Sequence, residues 1–195
     1  MATFHNLTVS NIIKETSECV SIAFDIPESL SKDFAYIQGQ YITLKFNVDD
    51  EEIRRCYSIC SSPVSDVDFR VAVKKVVNGK GSTWLNEQLN VGDSLEVLPP
   101  TGNFYPQLAA GNSNSYVLFA GGSGITPIIS ILKTIIAVEP ESQIVLVYAN
   151  LNEESVVFQK ELDEIEGQNK ERLKIYHVFD KPKNDHKKLF TGIMT

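Results

Sequence analysis

The chain of 195 residues is 43% hydrophobic and 22% charged, the proportions of an ordinary soluble protein with room for one large or two small domains, of which two are expected. A formal net charge of −7 without any basic block argues against a nucleic-acid partner. No apolar run is long enough to span a membrane, and the first ten residues lack a charged segment followed by an apolar core, so neither a membrane association nor a signal peptide is expected and the protein reads as cytoplasmic.

From residue 3 to 26 apolar side chains recur at short intervals. Phe4, Leu7, Val9 and Ile12 come first, then Val20, Ile22, Phe24 and Ile26 in strict alternation, the pattern of a half-buried strand closed by Pro27. Residues 28–34 read as a loop, Gln38-Gly39-Gln40 as a turn and 41–48 as a strand. A hairpin through Asp49, Asp50, Glu51 and Glu52, whose like charges need water, returns as Arg55-Cys56-Tyr57-Ser58-Ile59-Cys60-Ser61-Ser62-Pro63. Phe69, Val71 and Val73 alternate on the next strand, which is predicted to run on to Val77 and break at Asn78-Gly79-Lys80-Gly81. Ser82 stands where an N-cap belongs, ahead of a short helix with Trp84, Leu85 and Leu89. Gly92 and Asp93 lead into a strand over 94–98 that Pro99-Pro100-Thr101-Gly102 ends. Six strands with one short helix predict a six-stranded antiparallel β-barrel over residues 1–108.

Between 108 and 115 the composition shifts to Ala, Gly, Asn and Ser, the natural place for a boundary. Beyond it, strands over 116–120, 143–149 and 173–178 alternate with helices over 126–138 and 155–165, which means a parallel sheet. Residues 109–195 are therefore expected to form an α/β nucleotide-binding domain that stops early. Residues 189–195 are expected to form no further unit, and the chain reads as part of a longer protein.

Three stretches carry ligand chemistry. Arg55 offers a rigid fork of donors that matches phosphate oxygens, and Tyr57 a flat apolar face with a polar tip, suited to a fused ring. Alone, that stretch reads first as an edge strand whose arginine meets a surface carboxylate. Gly121-Gly122-Ser123-Gly124-Ile125-Thr126-Pro127 lies between a buried strand and a helix, where unpaired N–H groups and the helix dipole favour a diphosphate. Thr126 is placed to cap and Pro127 to occupy the first helical position. Because Pro127 replaces the third glycine, GxGxxG is only partly met, and a glycine-rich turn that binds nothing is the bland alternative. Residues 78–82 are the third stretch, with Gly79 and Gly81 exposing backbone donors, and alone would be a plain strand-to-helix turn.

In order and spacing these stretches resemble the ferredoxin–NADP reductase family. There an Arg-x-Tyr-Ser motif and a later Gly-x-x-Ser segment hold FAD on a six-stranded barrel, and a Gly-Gly-x-Gly-Ile-Thr-Pro segment meets the nicotinamide dinucleotide. The wording from Tyr57 to Pro63, Val71-Ala72-Val73-Lys74 and Ser82-Thr83-Trp84-Leu85-Asn86-Glu87 looks most like the reductases of phenylacetyl-CoA epoxygenases. The resemblance implies that Arg55 pairs with the FAD diphosphate, while Tyr57 packs on the flavin and Ser58 hydrogen-bonds near its reactive nitrogen as the residues closest to the chemistry. Ala72, Val73 and Lys74 would line the cofactor, and Gly79, Lys80, Gly81 and Ser82 would hold phosphate. Gly121, Gly122, Ser123 and Gly124 would meet the dinucleotide, with Thr126 near where nicotinamide and flavin stack. Strand alternation puts Ser58 on the face opposite Arg55 and Tyr57, so Ser58 would act through its backbone or from a strand end.

The implied function is an FAD-dependent NAD(P)H reductase that passes electrons to an iron–sulfur domain or ferredoxin and so to an oxygenase component. A [2Fe–2S] cluster is expected only where a further C-terminal domain supplies it, since the family's Cys-Gly-Pro segment and Cys-x4-Cys-x2-Cys run are not in this sequence. After the second parallel strand, Glu153 and Glu154 would repel a 2′-phosphate, yet no Asp stands at the strand end for a ribose hydroxyl, which leaves NADH against NADPH open. Cys19, Cys56 and Cys60 form no CxxC pair, so no disulfide or metal site is expected, with Cys56 and Cys60 reduced and partly buried. His5, His177 and His186 read as structural, Glu161, Asp163, Glu164 and Glu166 as a solvated helix face, and residues 180–188 as an exposed loop. The alternative functional reading is a flavin-binding electron-transfer or interaction subunit without its own NAD(P)H turnover, and behind it an apo structural domain.

Overall fold

The computed structural model describes residues 3–183 and 190–192. The first half is built from β1 (His5–Thr16), β2 (Cys19–Asp25), β3 (Tyr41–Val48), β4 (Glu51–Ser58), β5 (Phe69–Lys74) and β6 (Ser94–Thr101), with helix α1 (Lys80–Glu87) between the last two. The strands pair antiparallel in the order β4-β3-β6-β1-β2-β5. A bridge between Ile59 and Val71, with the Cys60 N–H donating to the Arg70 carbonyl at 2.9 Å, joins the two outer strands into a barrel. Leu7, Val9, Ile22, Ile42, Leu44, Val71, Val73 and Val97 fill its interior.

The barrel differs from the sequence reading in instructive ways. β2 is buried on both faces, because its outer residue Cys19 packs with Ala72 and Cys60 against the second half of the molecule. At the β3–β4 turn only Asp49 and Asp50 leave the ladder, at φ of 48° and 63°, a left-handed pair whose twist suits a two-residue hairpin. Glu51 and Glu52 therefore belong to β4. β5 stops at Lys74 rather than Val77, since Lys75 donates its N–H to Glu18 at the end of the β1–β2 turn. β6 instead runs through Pro99 and Pro100. Its pairing with β1 ends at Val97 and its pairing with β3 shifts register there, so no ladder bond needs the proline nitrogens.

The second half carries β7 (Ser115–Gly121), α2 (Ile125–Val138), β8 (Gln143–Asn150), α3 (Gln159–Gln168), β9 (Leu173–Phe179) and β10 (Phe190–Thr191). Its sheet is parallel, in the order β10-β9-β8-β7. The short β10 is a fourth strand where no further unit was expected. α3 begins later than predicted, because Asn152 and Ser155 close a reciprocal cap on a single tight turn and Val156, Val157 and Phe158 then enter the core, Phe158 at φ 62°. β7 is an edge strand, with Val117 and Phe119 exposed.

His5 meets Phe34 edge-on and His177 stacks on Phe179, in keeping with structural roles, and burial lowers the His177 pKa. His186 and residues 184–188 of the expected loop lie outside the described residues. Cys56 is exposed rather than partly buried, while Cys19 and Cys60 are buried, and all three are free. Among the described residues no helix is long and apolar enough to cross a membrane.

Candidate functional site

Ile53, Arg55, Tyr57 and Ile59 share one face of β4 and its extension. The two isoleucines are buried in the barrel. Between them Arg55 and Tyr57 line a groove of about 270 Å3 together with Lys74, Gly79, Lys80, Gly81 and Ser82. Arg55 is exposed, and among the described residues its guanidinium donates only to the Arg54 carbonyl, at 2.7 Å. The surface ion pair belongs instead to its neighbour Arg54, which meets Glu52 at 2.8 Å. Tyr57 is half-buried, and burial, partly offset by the Arg55 charge, pushes its phenol up to about 12. It is a neutral, flat surface at physiological pH.

Ser58 lies half-buried on the other face and outside the groove lining, as alternation requires. Of the β5 residues, only Lys74 lines the groove. Val73 is wholly buried in the barrel core, so its side chain cannot face a ligand there, and Ala72 is buried against α2 and its neighbours.

At the start of α1 the local chemistry differs from the cap predicted. The N-cap is Gly79, and the Ser82 hydroxyl lies inside the first turn, donating to the Gly79 carbonyl at 3.1 Å and accepting the Val76 N–H at 3.0 Å. Gly81 answers to packing, since a Cβ there would lie 3.0 Å from Ile53 Cγ2. The first helical N–H to find a carbonyl is that of Thr83, which leaves the amides of Lys80, Gly81 and Ser82 without a backbone acceptor among the described residues, in the groove that Arg55 also lines. The Lys80 ammonium is turned toward Glu51 and Asp49. A guanidinium with spare donors and three orphan amides form a donor set that fits a diphosphate.

The glycine loop after β7 makes one tight turn, Gly122–Gly124, before α2. Thr126 does not cap. Pro127 has no N–H to give the Ser123 carbonyl one turn back, and the Thr126 hydroxyl fills that place at 3.0 Å. Thr126 is buried, and Pro127 is the third residue of α2 rather than the first. Gly122 sits at φ 49°, held by the Tyr148 hydroxyl, which donates to its carbonyl at 3.0 Å. A Cβ on Gly121 or Gly124 would meet nothing within 4 Å, so protein packing does not demand those glycines. The open space beside them fits close approach by a ligand.

Gly121 and Gly122 line a second cavity, of about 390 Å3, with Asn150, Asp180 and Lys74. Lys74 therefore lines both cavities, and its ammonium has no ion pair with any described residue. Asn150, at the carboxyl end of β8, is only 8% exposed, and neither atom of its amide has a hydrogen-bond partner within normal geometry among the described residues, with Tyr148 a polar neighbour. Sequence reasoning passed over it as the place where an Asp was missing. Its position at the end of a parallel strand beside a glycine loop was the available signal.

Residues 6–105 match the model of the oxidoreductase FAD-binding domain family, and residues 118–194 that of the oxidoreductase NAD-binding domain family. The chain belongs to the ferredoxin reductase-like FAD- and NAD-binding oxidoreductases. One component of the 1,2-phenylacetyl-CoA epoxidase from Escherichia coli (strain K12) is 39% identical over 92% of this oxidoreductase chain and 50% of its own length. The ferredoxin reductase component of 3-ketosteroid-9-alpha-monooxygenase from Rhodococcus rhodochrous is 42% identical over 88% of this chain and 48% of its own. The chain thus spans about half the length of these curated relatives. In fold it is similar to the FAD/NAD-binding domain of nitric oxide dioxygenase from Vibrio cholerae, with a TM-score of 0.81 at 21% identity over 99% of this chain and 80% of that one.

Proposed function

We propose that this chain is the FAD- and nicotinamide-dinucleotide-binding part of an NAD(P)H-dependent reductase that delivers electrons to an iron–sulfur centre or ferredoxin-type acceptor serving an oxygenase. The observation that carries the reading is Lys74, which lines both cavities and so makes them neighbours across one crevice. Relatives named as a ferredoxin reductase component of a monooxygenase and as part of an epoxidase support the choice of acceptor. In this reading residues 1–108 and 109–195 divide the work between the two cofactors, and the protein acts in the cytoplasm.

Bound together, the two cofactors would supply the redox chemistry, hydride transfer between pyridine ring and flavin followed by onward electron transfer. The protein's share is position. Arg55 and the amides of residues 80–82 hold the FAD diphosphate, and Tyr57 gives the flavin a flat apolar support. Ser58 contributes through its backbone at the strand end. Gly121, Gly122, Ser123 and Gly124 let the dinucleotide approach the chain, while Lys74 and the Asn150 amide meet its polar groups. Thr126 fixes the turn that presents them.

The test is to load the purified protein with FAD and add NADH or NADPH without air. Uptake of FAD followed by bleaching of its visible absorbance is expected. Uptake without bleaching by either nucleotide would sink the reductase reading, and no uptake would sink the flavin site as well.

A further inference from the structure

Resting on that reading, we propose that a buried polar seam between the loop after β4 and helix α2 sets the distance between the two cofactor sites, with Ser62, Asp66, Lys133 and Thr134 as positioning residues. On α2, Ser130, Lys133 and Thr134 fall at i, i+3 and i+4, one face of the helix, and that face is turned into the protein rather than to water. Ser130, Thr134, Ser61 and Ser62 are all buried. Their polar groups are satisfied partly across the junction and partly within each side of it. The Ser130 hydroxyl donates to the Ser61 carbonyl at 2.6 Å. The Thr134 hydroxyl gives its proton to the Ser130 carbonyl at 2.7 Å, so at 2.9 Å it accepts from Ser62, whose own oxygen takes the N–H groups of Val64 and Ser65. Asp66 accepts the Ser62 N–H at 2.9 Å and also meets the Lys133 ammonium, which reaches Glu161 on α3 at 2.8 Å. Glu161 thus reaches the junction from a helix face that is still open to water, its side chain being 41% exposed.

An apolar junction would hold the two halves together just as well but would let them slide. Buried hydrogen bonds are directional and costly to leave unmade, so this seam selects one register. Its location makes the register matter. The seam begins at Ser61, three residues beyond the end of β4 at Ser58, about 10 Å of extended chain. Ser130 lies five residues into the helix that starts at the glycine loop, about 7.5 Å along its axis. A shift at the seam is thus passed with little loss to both cofactor sites. The step itself moves one hydrogen nucleus and two electrons from the reduced pyridine ring, which is oxidised, to the flavin, which is reduced. Such a transfer needs the reacting atoms about 3–3.5 Å apart, and a misplacement of about 1 Å slows it by about a hundredfold.

The experiment is Thr134→Val, which keeps the shape and removes the oxygen that Ser62 needs, with Thr134→Ser as the conservative control. Anaerobic stopped-flow reduction at saturating nucleotide is expected to slow by about tenfold to a hundredfold in the Val variant and to recover in the Ser variant. FAD content and nucleotide Kd should stay within about twofold of the parent, because neither site is touched. In the protein without nucleotide, amide exchange should quicken over residues 61–66 and α2 while the barrel strands are unchanged. Should Thr134→Val fail to hold FAD, Asp66→Asn carries the same test from a side chain that is 25% exposed. A variant that melts lower yet is reduced at the parent rate would make the seam merely structural and overturn the proposal. A parent protein that nucleotide does not bleach would overturn the reductase reading itself, a separate and visible failure.

Discussion

Replacing Arg55 with Ala separates a ligand-holding arginine from a structural one. The side chain is exposed, has no carboxylate partner among the described residues, and commits one of its five donors to the Arg54 carbonyl. Removing it takes nothing from the folded apoprotein beyond one surface hydrogen bond, so its stability should change by no more than about 0.5 kcal/mol. A charge-assisted bond to phosphate contributes about 1.5–3 kcal/mol, so FAD affinity should fall by about tenfold to a hundredfold. The gap between parent and variant should narrow as salt is added, because the groove is open to solvent. Arg55→Lys keeps the charge without the planar fork and should fall in between. The assay is a fluorescence titration of FAD into apoprotein, paired with thermal melting of the same samples. An apo variant that melts several degrees lower, or a titration that superimposes on the parent, would refute the assignment.

Three further substitutions test the second half. Gly122→Ala meets only the distant Lys74 ammonium, so its cost is the left-handed backbone, about 1 kcal/mol or a melting temperature lower by about 2–4 °C; an unchanged melt would show that the loop has other conformations open to it. Asn150→Leu replaces a buried amide that has no hydrogen-bond partner among the described residues by an apolar side chain, and should raise the melting temperature while weakening dinucleotide binding; tighter or equal binding would remove Asn150 from the site. The Glu139 carboxylate is pushed up by burial, but bonds from Ser142, Asn112, the Ala109 amide and Tyr116 outweigh this and leave its pKa lowered. A carboxyl depressed by folding stabilises above its unfolded pKa and loses that contribution as pH falls through the folded value. Glu139→Gln should therefore unfold more easily in denaturant at neutral pH, with the difference shrinking in acid; a constant difference across pH would contradict the sign.

Strand and helix types were legible wherever one physical rule governed a stretch. The alternation of Phe69, Val71 and Val73 marks β5 because those side chains point into the barrel and nothing competes. The end of β5 was not legible, since Val76 and Val77 look like strand residues and it is the register with β1–β2 that halts the ladder at Lys74. β2 shows the converse. Its outward positions Cys19, Ser21 and Ala23 are small rather than charged, a hint of burial on both faces that alternation alone reads as half-burial. Caps failed for a shared reason: Ser82 and Thr126 are good caps in isolation, but each hydroxyl is taken up inside the helix by a neighbouring backbone group, the Val76 amide in one case and the Ser123 carbonyl, which Pro127 cannot serve, in the other.

The candidate site divides along the same line. Arg55, Tyr57 and the two glycine stretches are contiguous in sequence, so their chemistry could be read before any fold was known. Lys74 and Asn150 could not be weighted this way, because what distinguishes each is a relation between distant segments. Lys74 ends a barrel strand, yet a Cβ on Gly122 of the α/β half would lie 3.9 Å from its ammonium. Asn150 closes a strand whose neighbour supplies the glycine loop, with Ala149 opposite Gly121 in the parallel register. Moving either strand by one residue would turn these side chains to the other face and leave both glycine stretches intact. The crevice is thus a property of strand register and of how the halves are seated on each other. That is why the buried hydroxyls and the Asp66–Lys133 pair at the junction bear on the chemistry even though none of them lines the two cavities that meet at Lys74.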